Sequence, residues 1–194
     1  MTEKNSSTQK KRRPPKKISE RYLENAGLFY LERYASSSEN FRRVMRRKIN
    51  RSAKHHEDDP ETFYPMLETL IERYIQSGLL NDGLYCFSKV RSLKSRGNSD
   101  RMIFAKLMQK GLSQDVISSA IEEYNEREGY DTKRDSEYEA AVKYAKKRRF
   151  GPYRTPPNPE RFEKDMAAMA RAGFKYDMIK DVLNIDEDLI DYAD

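Results

Sequence analysis

Arg101–Ile121, RMIFAKLMQKGLSQDVISSAI, reads as helix, glycine turn, helix. Phe104, Leu107 and Met108 recur at i, i+3 and i+4, which places them on one face of a first helix. Lys110-Gly111 is a basic residue followed by glycine, the usual signature of a helix C-terminus. Ser113 then caps a second helix with Asp115 in its first turn. Val116, Ile117, Ala120, Ile121 and Tyr124 make the apolar face of that helix.

The same pattern returns at Glu163–Leu183, EKDMAAMARAGFKYDMIKDVL. Ala105, Gly111, Asp115 and Ile117 meet Ala167, Gly173, Asp177 and Ile179, while Phe104, Leu107, Leu112 and Ile121 meet Met166, Met169, Phe174 and Leu183. The turn glycine and both apolar faces keep register, so the stretch reads as the unit of a structural repeat. The alternative is two unrelated helical hairpins.

Composition fits several thin helical units better than one deep core. Hydrophobic residues make up 37% of the 194-residue chain and charged residues 36%, with no Trp. Thirteen Tyr and eight Phe argue against disorder throughout. The single Cys86 excludes an intramolecular disulfide and is expected to be a small buried hydrophobe. No apolar run approaches the ~20 residues of a membrane span, and the N-terminus lacks the apolar core of a secretory signal. A soluble, cytoplasmic protein is expected.

Charge is unevenly placed. Residues 1–17 carry seven Lys/Arg and one Glu, so the rest of the chain is neutral overall. This stretch, including KKRRPPKK and without apolar periodicity, is predicted to be a disordered basic arm. Arg42, Arg43, Arg46, Arg47 and Arg51 make an arginine-rich helix face, and Lys146, Lys147, Arg148 and Arg149 a second basic cluster. Residues 186–194 are expected to be an acidic tail.

Nine helices and no strand are predicted. The first spans Ser19–Tyr34 and the second Glu39–Lys54, ending in a polar HHEDD loop. Asp59-Pro60-Glu61 opens the third, which Gly78 ends. Asn81, Ser99 and Ser113 cap the fourth to sixth, and Ser136 with Glu139 forms a capping box for the seventh. Asn158-Pro159-Glu160 starts the eighth, and Lys175–Leu183 is the ninth. The fold class is therefore all-α, with three tandem three-helix repeats in an elongated, curved array. The expected boundaries are 18–79 (with an insertion near 52–60), 80–129 and 135–185. Gly78, Gly111 and Gly173 are the expected turn residues.

Catalytic signatures are lacking. Neither a phosphate-binding loop nor a dinucleotide glycine motif occurs. His55 and His56 are the only histidines, and beside Glu57, Asp58 and Asp59 they are expected in a solvated loop rather than a metal shell. No cofactor or metal is expected. The basic faces remain, with phosphates or an acidic protein groove as their candidate partners.

Several segments resemble the RecX family of regulators of the RecA recombinase. They are LENAGLFYLERYASSSENFRRVMRRKI at 23–49, IERYIQSGLLND at 71–82, RSLKSRGNSDRMIFAKLMQKGLSQDVISSAI at 91–121 and ARAGFKYDMIKDVL at 170–183. LFYLERYA and the RRFGPYR linker look most like alphaproteobacterial members. The resemblance implies three tandem three-helix repeats and no enzymatic activity. It also implies binding to the RecA filament on single-stranded DNA and restraint of its ATPase, strand-exchange and co-protease activities. A monomer is expected. It supplies no contact residues, so the nine basic positions above are nominated by charge alone. The rival reading is a direct DNA-binding protein that uses helix-turn-helix-like units and the basic arm on single- or double-stranded DNA.

Overall fold

The computed structural model describes residues 14–183; the expected acidic tail and most of the basic arm lie outside them. The described residues form nine α-helices, three short 3-10 turns and no strand. They fall into two compact units, one built from residues 14–34 and 41–79, the other from 35–40 and 80–183.

The first unit holds α1 (Glu20–Leu31), α2 (Ser38–His56) from Phe41 onward, and α3 (Tyr64–Gln76). Ser19 caps α1 by accepting the Tyr22 amide. Phe41, Met45, Ile49 and Ala53 recur every four residues along α2 and are buried. They meet Leu23 of α1 and Leu67, Ile71 and Tyr74 of α3 in the core. Phe41 and Tyr74 pack ring to ring at 5.7 Å. A Cβ on Gly27 would lie 3.0 Å from Phe41 and 3.2 Å from Tyr74, so this glycine lets α1 approach both rings.

Two features differ from the sequence reading. Helix α2 runs through His56, so the expected HHEDD loop begins two residues later than read, at Glu57 with φ 59°. Residues 14–17, assigned to the arm, lie against α2. The Ser52 hydroxyl donates to the Lys16 carbonyl at 2.7 Å, and His56 Nε2 is 3.0 Å from the Pro15 carbonyl. Asp59 caps a 3-10 turn, Pro60–Phe63, which leads into α3.

The second unit contains two helical triplets, each with its own apolar cluster. Helices α4 (Asp82–Lys94), α5 (Asp100–Met108) and α6 (Gln114–Glu128) bury Val90, Ile103, Leu107, Ile117 and Tyr124 around Cys86. Burial, then the Asp82 charge, pushes the Cys86 thiol up to about 11, so it carries no thiolate at neutral pH. Asn81, Ser99 and Ser113 cap the three helices as their sequence positions suggest. Helix α5 is rotated from its expected face: Ile103 is fully buried, Phe104 half-buried, and Met108 is 50% exposed. Ile103 and Leu107, four apart, form the inward stripe.

Helices α7 (Lys133–Arg148), α8 (Phe162–Arg171) and α9 (Tyr176–Leu183) bury Ala140, Ala141 and Ala145 against Met169, Phe174 and Ile179. The capping box of α7 is Thr132 with Asp135, one turn ahead of the expected Ser136 and Glu139. Ser136 is instead buried inside the helix, and Glu139 bonds the Tyr130 hydroxyl.

One junction recurs within this unit. Ser37 caps the start of α2 by accepting the Asn40 amide and donates its hydroxyl to the Lys110 carbonyl at 2.6 Å. Ser99 caps α5 by accepting the Met102 amide and donates to the Ala172 carbonyl at 2.5 Å. Gly111 and Gly173 follow the two acceptors, with φ 79° and 96°. The next amide along each capped turn, Ser38 and Asp100, donates to a carboxylate, Asp82 and Glu137 respectively. Both serines, both acceptors, both glycines and both amides are offset by 62 positions.

Candidate partner-binding surfaces

The arginines of α2 divide into two groups. Arg42 and Arg46, one turn apart, both turn toward Glu68 of α3. Arg42 Nε lies 3.0 Å from each carboxylate oxygen of Glu68, its Nη2 lies 2.9 Å from Oε2, and Arg46 Nη2 lies 3.4 Å from Oε1. The Arg46 guanidinium also sits 4.7 Å over the Tyr64 ring, whose hydroxyl donates to Asn50 at 2.8 Å. These two side chains tie α2 to α3 and are partly neutralised there. Arg43, Arg47 and Arg51 follow the next row along the helix and are exposed. Arg47 and Arg51 make no ion pair with a described residue, and exposed Lys54 prolongs their side of the helix.

The second nominated cluster occupies the last turn of α7. Lys146, Lys147 and Arg148 lie where the negative end of the helix dipole favours cations. Lys146 Nζ is 5.7 Å from the Tyr153 ring and Arg148 is 5.6 Å from the Tyr144 ring. Arg149 closes the helix in the left-handed region at φ 55°, with its side chain exposed. Lys147, Arg148 and Arg149 make no ion pair among the described residues.

Other titratable groups here are structural. Lys94 is 2% exposed, 2.7 Å from Asp100 and 3.3 Å from Glu137. Burial first, then the Asp100 charge, raises the Glu137 carboxyl above its ordinary value, against the lowering effect of Lys94. Arg154 Nη2 is 2.9 and 2.7 Å from the two oxygens of buried Asp165, which also accepts the Gly151 amide. Among the described residues no three His, Cys, Asp or Glu gather as a metal site would require.

Sequence reading passed over two cations. Lys106 of α5 and Arg171 of α8 join Arg148 along a groove of about 410 Å³ within the second unit. Their separation along the chain gave no local signal, because three different helices bring them together.

No protein-family model matches the chain. It is 38% identical over 172 residues to the Regulatory protein RecX of Myxococcus xanthus (strain DK1622), covering 88% of each sequence. A Regulatory protein RecX of Agrobacterium fabrum (strain C58 / ATCC 33970) is 28% identical over 158 residues, covering 81% of this chain and 79% of that one. Two crystal structures share the fold. A regulatory protein RecX superposes with TM-score 0.59 at 20% identity, covering 84% of this chain and 70% of that one. RecX from Lactobacillus salivarius superposes with TM-score 0.62 at 21% identity, covering 88% and 97%. Among the described residues no helix is long and apolar enough to cross a membrane.

Proposed function

Since the chain belongs to the RecX family, we propose that it regulates the RecA recombinase, binding the RecA filament on single-stranded DNA. Its main effect is inhibitory, restraining ATP hydrolysis, strand exchange and co-protease action without chemistry of its own. It acts as a cytoplasmic monomer, built from three tandem three-helix repeats. The recurrent serine–carbonyl junction supports the repeat reading, because the same caps and turn glycines return at one fixed offset.

The observation that carries the binding reading is the exposed row Arg43, Arg47 and Arg51 on α2. An arginine row next to a glutamate-anchored row presents planar donors toward a partner while Arg42 and Arg46 hold the helix in place. Lys146, Lys147, Arg148 and Arg149 supply a second contact. A partner surface bearing acidic side chains is the chemistry that matches both. Binding that favours one filament state shifts the population toward that state and slows the rearrangements coupled to hydrolysis.

The test is a titration into RecA with single-stranded DNA and ATP, with naked DNA as control. Inhibition of ATP hydrolysis is expected at protein levels too low to coat the DNA. Reversing Arg43 and Arg47 to Glu should weaken it, and unchanged inhibition would remove this face from the contact. Tight binding to naked DNA with hydrolysis unaffected would instead favour a direct DNA-binding protein.

A further inference from the structure

The groove of the second unit combines three properties in one place. Its volume, about 410 Å³, lies within the ~300–1,000 Å³ of ligand pockets. Lys106, Arg148 and Arg171 line it, are exposed, and make no ion pair with any described residue. No Asp or Glu of the described residues lines it. Between the cations lie Tyr144, Phe150 and Met102, all half-buried, which give an apolar and aromatic floor.

The surrounding fold fixes this shape. Gly97, with φ 74°, ends α4 against the backbone of α7, where a Cβ would come within 2.8 Å of the Tyr144 nitrogen and 2.9 Å of the Ala140 carbonyl oxygen. Asn98 Oδ1 accepts from Lys106 Nζ at 2.5 Å and holds that ammonium group at the rim. The Tyr144 ring is set by Phe174 at 5.6 Å and Phe150 at 6.1 Å, and Arg148 lies beside it. Ser99 bonds the Ala172 carbonyl, holding the end of α8, and therefore Arg171, beside α5.

We propose that this groove seats a nucleotide of single-stranded nucleic acid, its base on the Tyr144, Phe150 and Met102 floor and its phosphates between Lys106, Arg148 and Arg171. Aromatic and apolar surface interleaved with unpaired cations is the chemistry that grips a strand whose bases are unstacked. An acidic peptide would satisfy the cations but would leave the ring floor without a flat partner. Duplex DNA keeps its bases stacked and could offer only phosphates. The assignment deepens the regulatory reading, since a recombinase filament holds such a strand, yet it concerns a direct contact that the protein makes alone.

The experiment measures binding of labelled oligothymidylate to the full chain without recombinase, beside an abasic strand of equal length and charge. Thymidylate should bind ~5-fold or more tightly than the abasic strand, the weakest effect expected of one stacked base. Lys106→Gln and Arg171→Gln should each weaken thymidylate binding and flatten its salt dependence by about 0.7 per lost phosphate contact, whereas Lys175→Gln should not. Equal binding of the two strands, or Lys106→Gln and Arg171→Gln matching the parent, overturns the assignment. So does an oligoglutamate peptide that depends on Lys106 and Arg171 while thymidylate does not; the groove would then be a peptide site. Inhibition of recombinase ATPase by the same variants is read separately. Retained inhibition with lost strand binding leaves the regulatory role standing, and lost inhibition by the unmodified chain with intact strand binding removes the role and keeps the groove.

Discussion

The Ser99 hydroxyl donates to the Ala172 carbonyl at 2.5 Å while the same oxygen caps α5 at the Met102 amide. One fully buried atom therefore starts one helix and holds the end of another. Ser99→Ala removes a cap and leaves a carbonyl unpaired, so it should cost about 2 kcal/mol. Gly173→Ala should cost as much, because its φ is 96° and its Cβ would come within 2.6 Å of Ser99 Oγ. The double variant should be less destabilised than the two changes added together, since Ser99→Ala also removes the clashing atom. Urea denaturation of the four proteins measures that coupling; strict additivity would mean the two residues do not meet.

Lys94 lies buried between Asp100 and Glu137. Lys94→Met strips two carboxylates of their shared cation and should cost about 3 kcal/mol, the usual penalty for breaking a buried pair. Glu137 has a further signature in pH. Its folded-state value is raised above the ordinary 4.5, so the native state binds the proton more tightly than the unfolded chain. Stability from this group is therefore present below that ordinary value and lost as pH rises through the folded one. The parent should lose stability relative to Glu137→Gln across that interval. Denaturation midpoints at stepped pH would reveal it, and a difference that widens in the parent's favour would contradict the sign.

Helices were legible here because their signals are local. Asn81, Ser99 and Ser113 each accept the amide three residues on, as a capping residue before an apolar run should. Phase was harder. Ile103, Phe104, Leu107 and Met108 allow two neighbouring faces, and only the packing of α4 and α6 selects Ile103 with Leu107. Two consecutive S/T-x-x-acid patterns, Thr132–Asp135 and Ser136–Glu139, stand at the start of α7, and Ser136, the one read as a cap, is buried inside the helix. The candidate surfaces were least legible. Glu68, which engages Arg42 and Arg46, comes from another helix, and the Lys106, Arg148 and Arg171 groove needs three helices to exist.

Arg149 ends α7 in the left-handed region, where a side chain is disfavoured by ~1 kcal/mol or more. Arg149→Gly should accordingly stabilise the protein by about 1 kcal/mol. If Arg149 contacts the filament as proposed, the same variant should inhibit recombinase ATPase less well. Thermal denaturation and the ATPase titration on one preparation would separate the two effects. A variant that gains stability and keeps full inhibition would show that this arginine closes the helix without serving the interface.

Glu68 tests the α2 surface from the opposite direction. It draws Arg42 and Arg46 onto α3, and those contacts are partly exposed, with side-chain exposures of 27%, 46% and 37% for Arg42, Arg46 and Glu68. Solvent screening at such exposure limits their worth, so Glu68→Gln should cost under about 1 kcal/mol of stability. The isosteric amide keeps a hydrogen-bond acceptor but no charge, so it no longer neutralises the two guanidinium groups. The basic face then grows from the row of Arg43, Arg47 and Arg51 to all five arginines. Affinity for an anionic partner should rise, seen as elution from heparin at higher salt and as recombinase inhibition at lower protein concentration. Changes in opposite directions in the two assays would separate a phosphate-binding face from a protein-binding one. Weaker inhibition would mean that Arg42 and Arg46 serve the contact only in the positions Glu68 imposes.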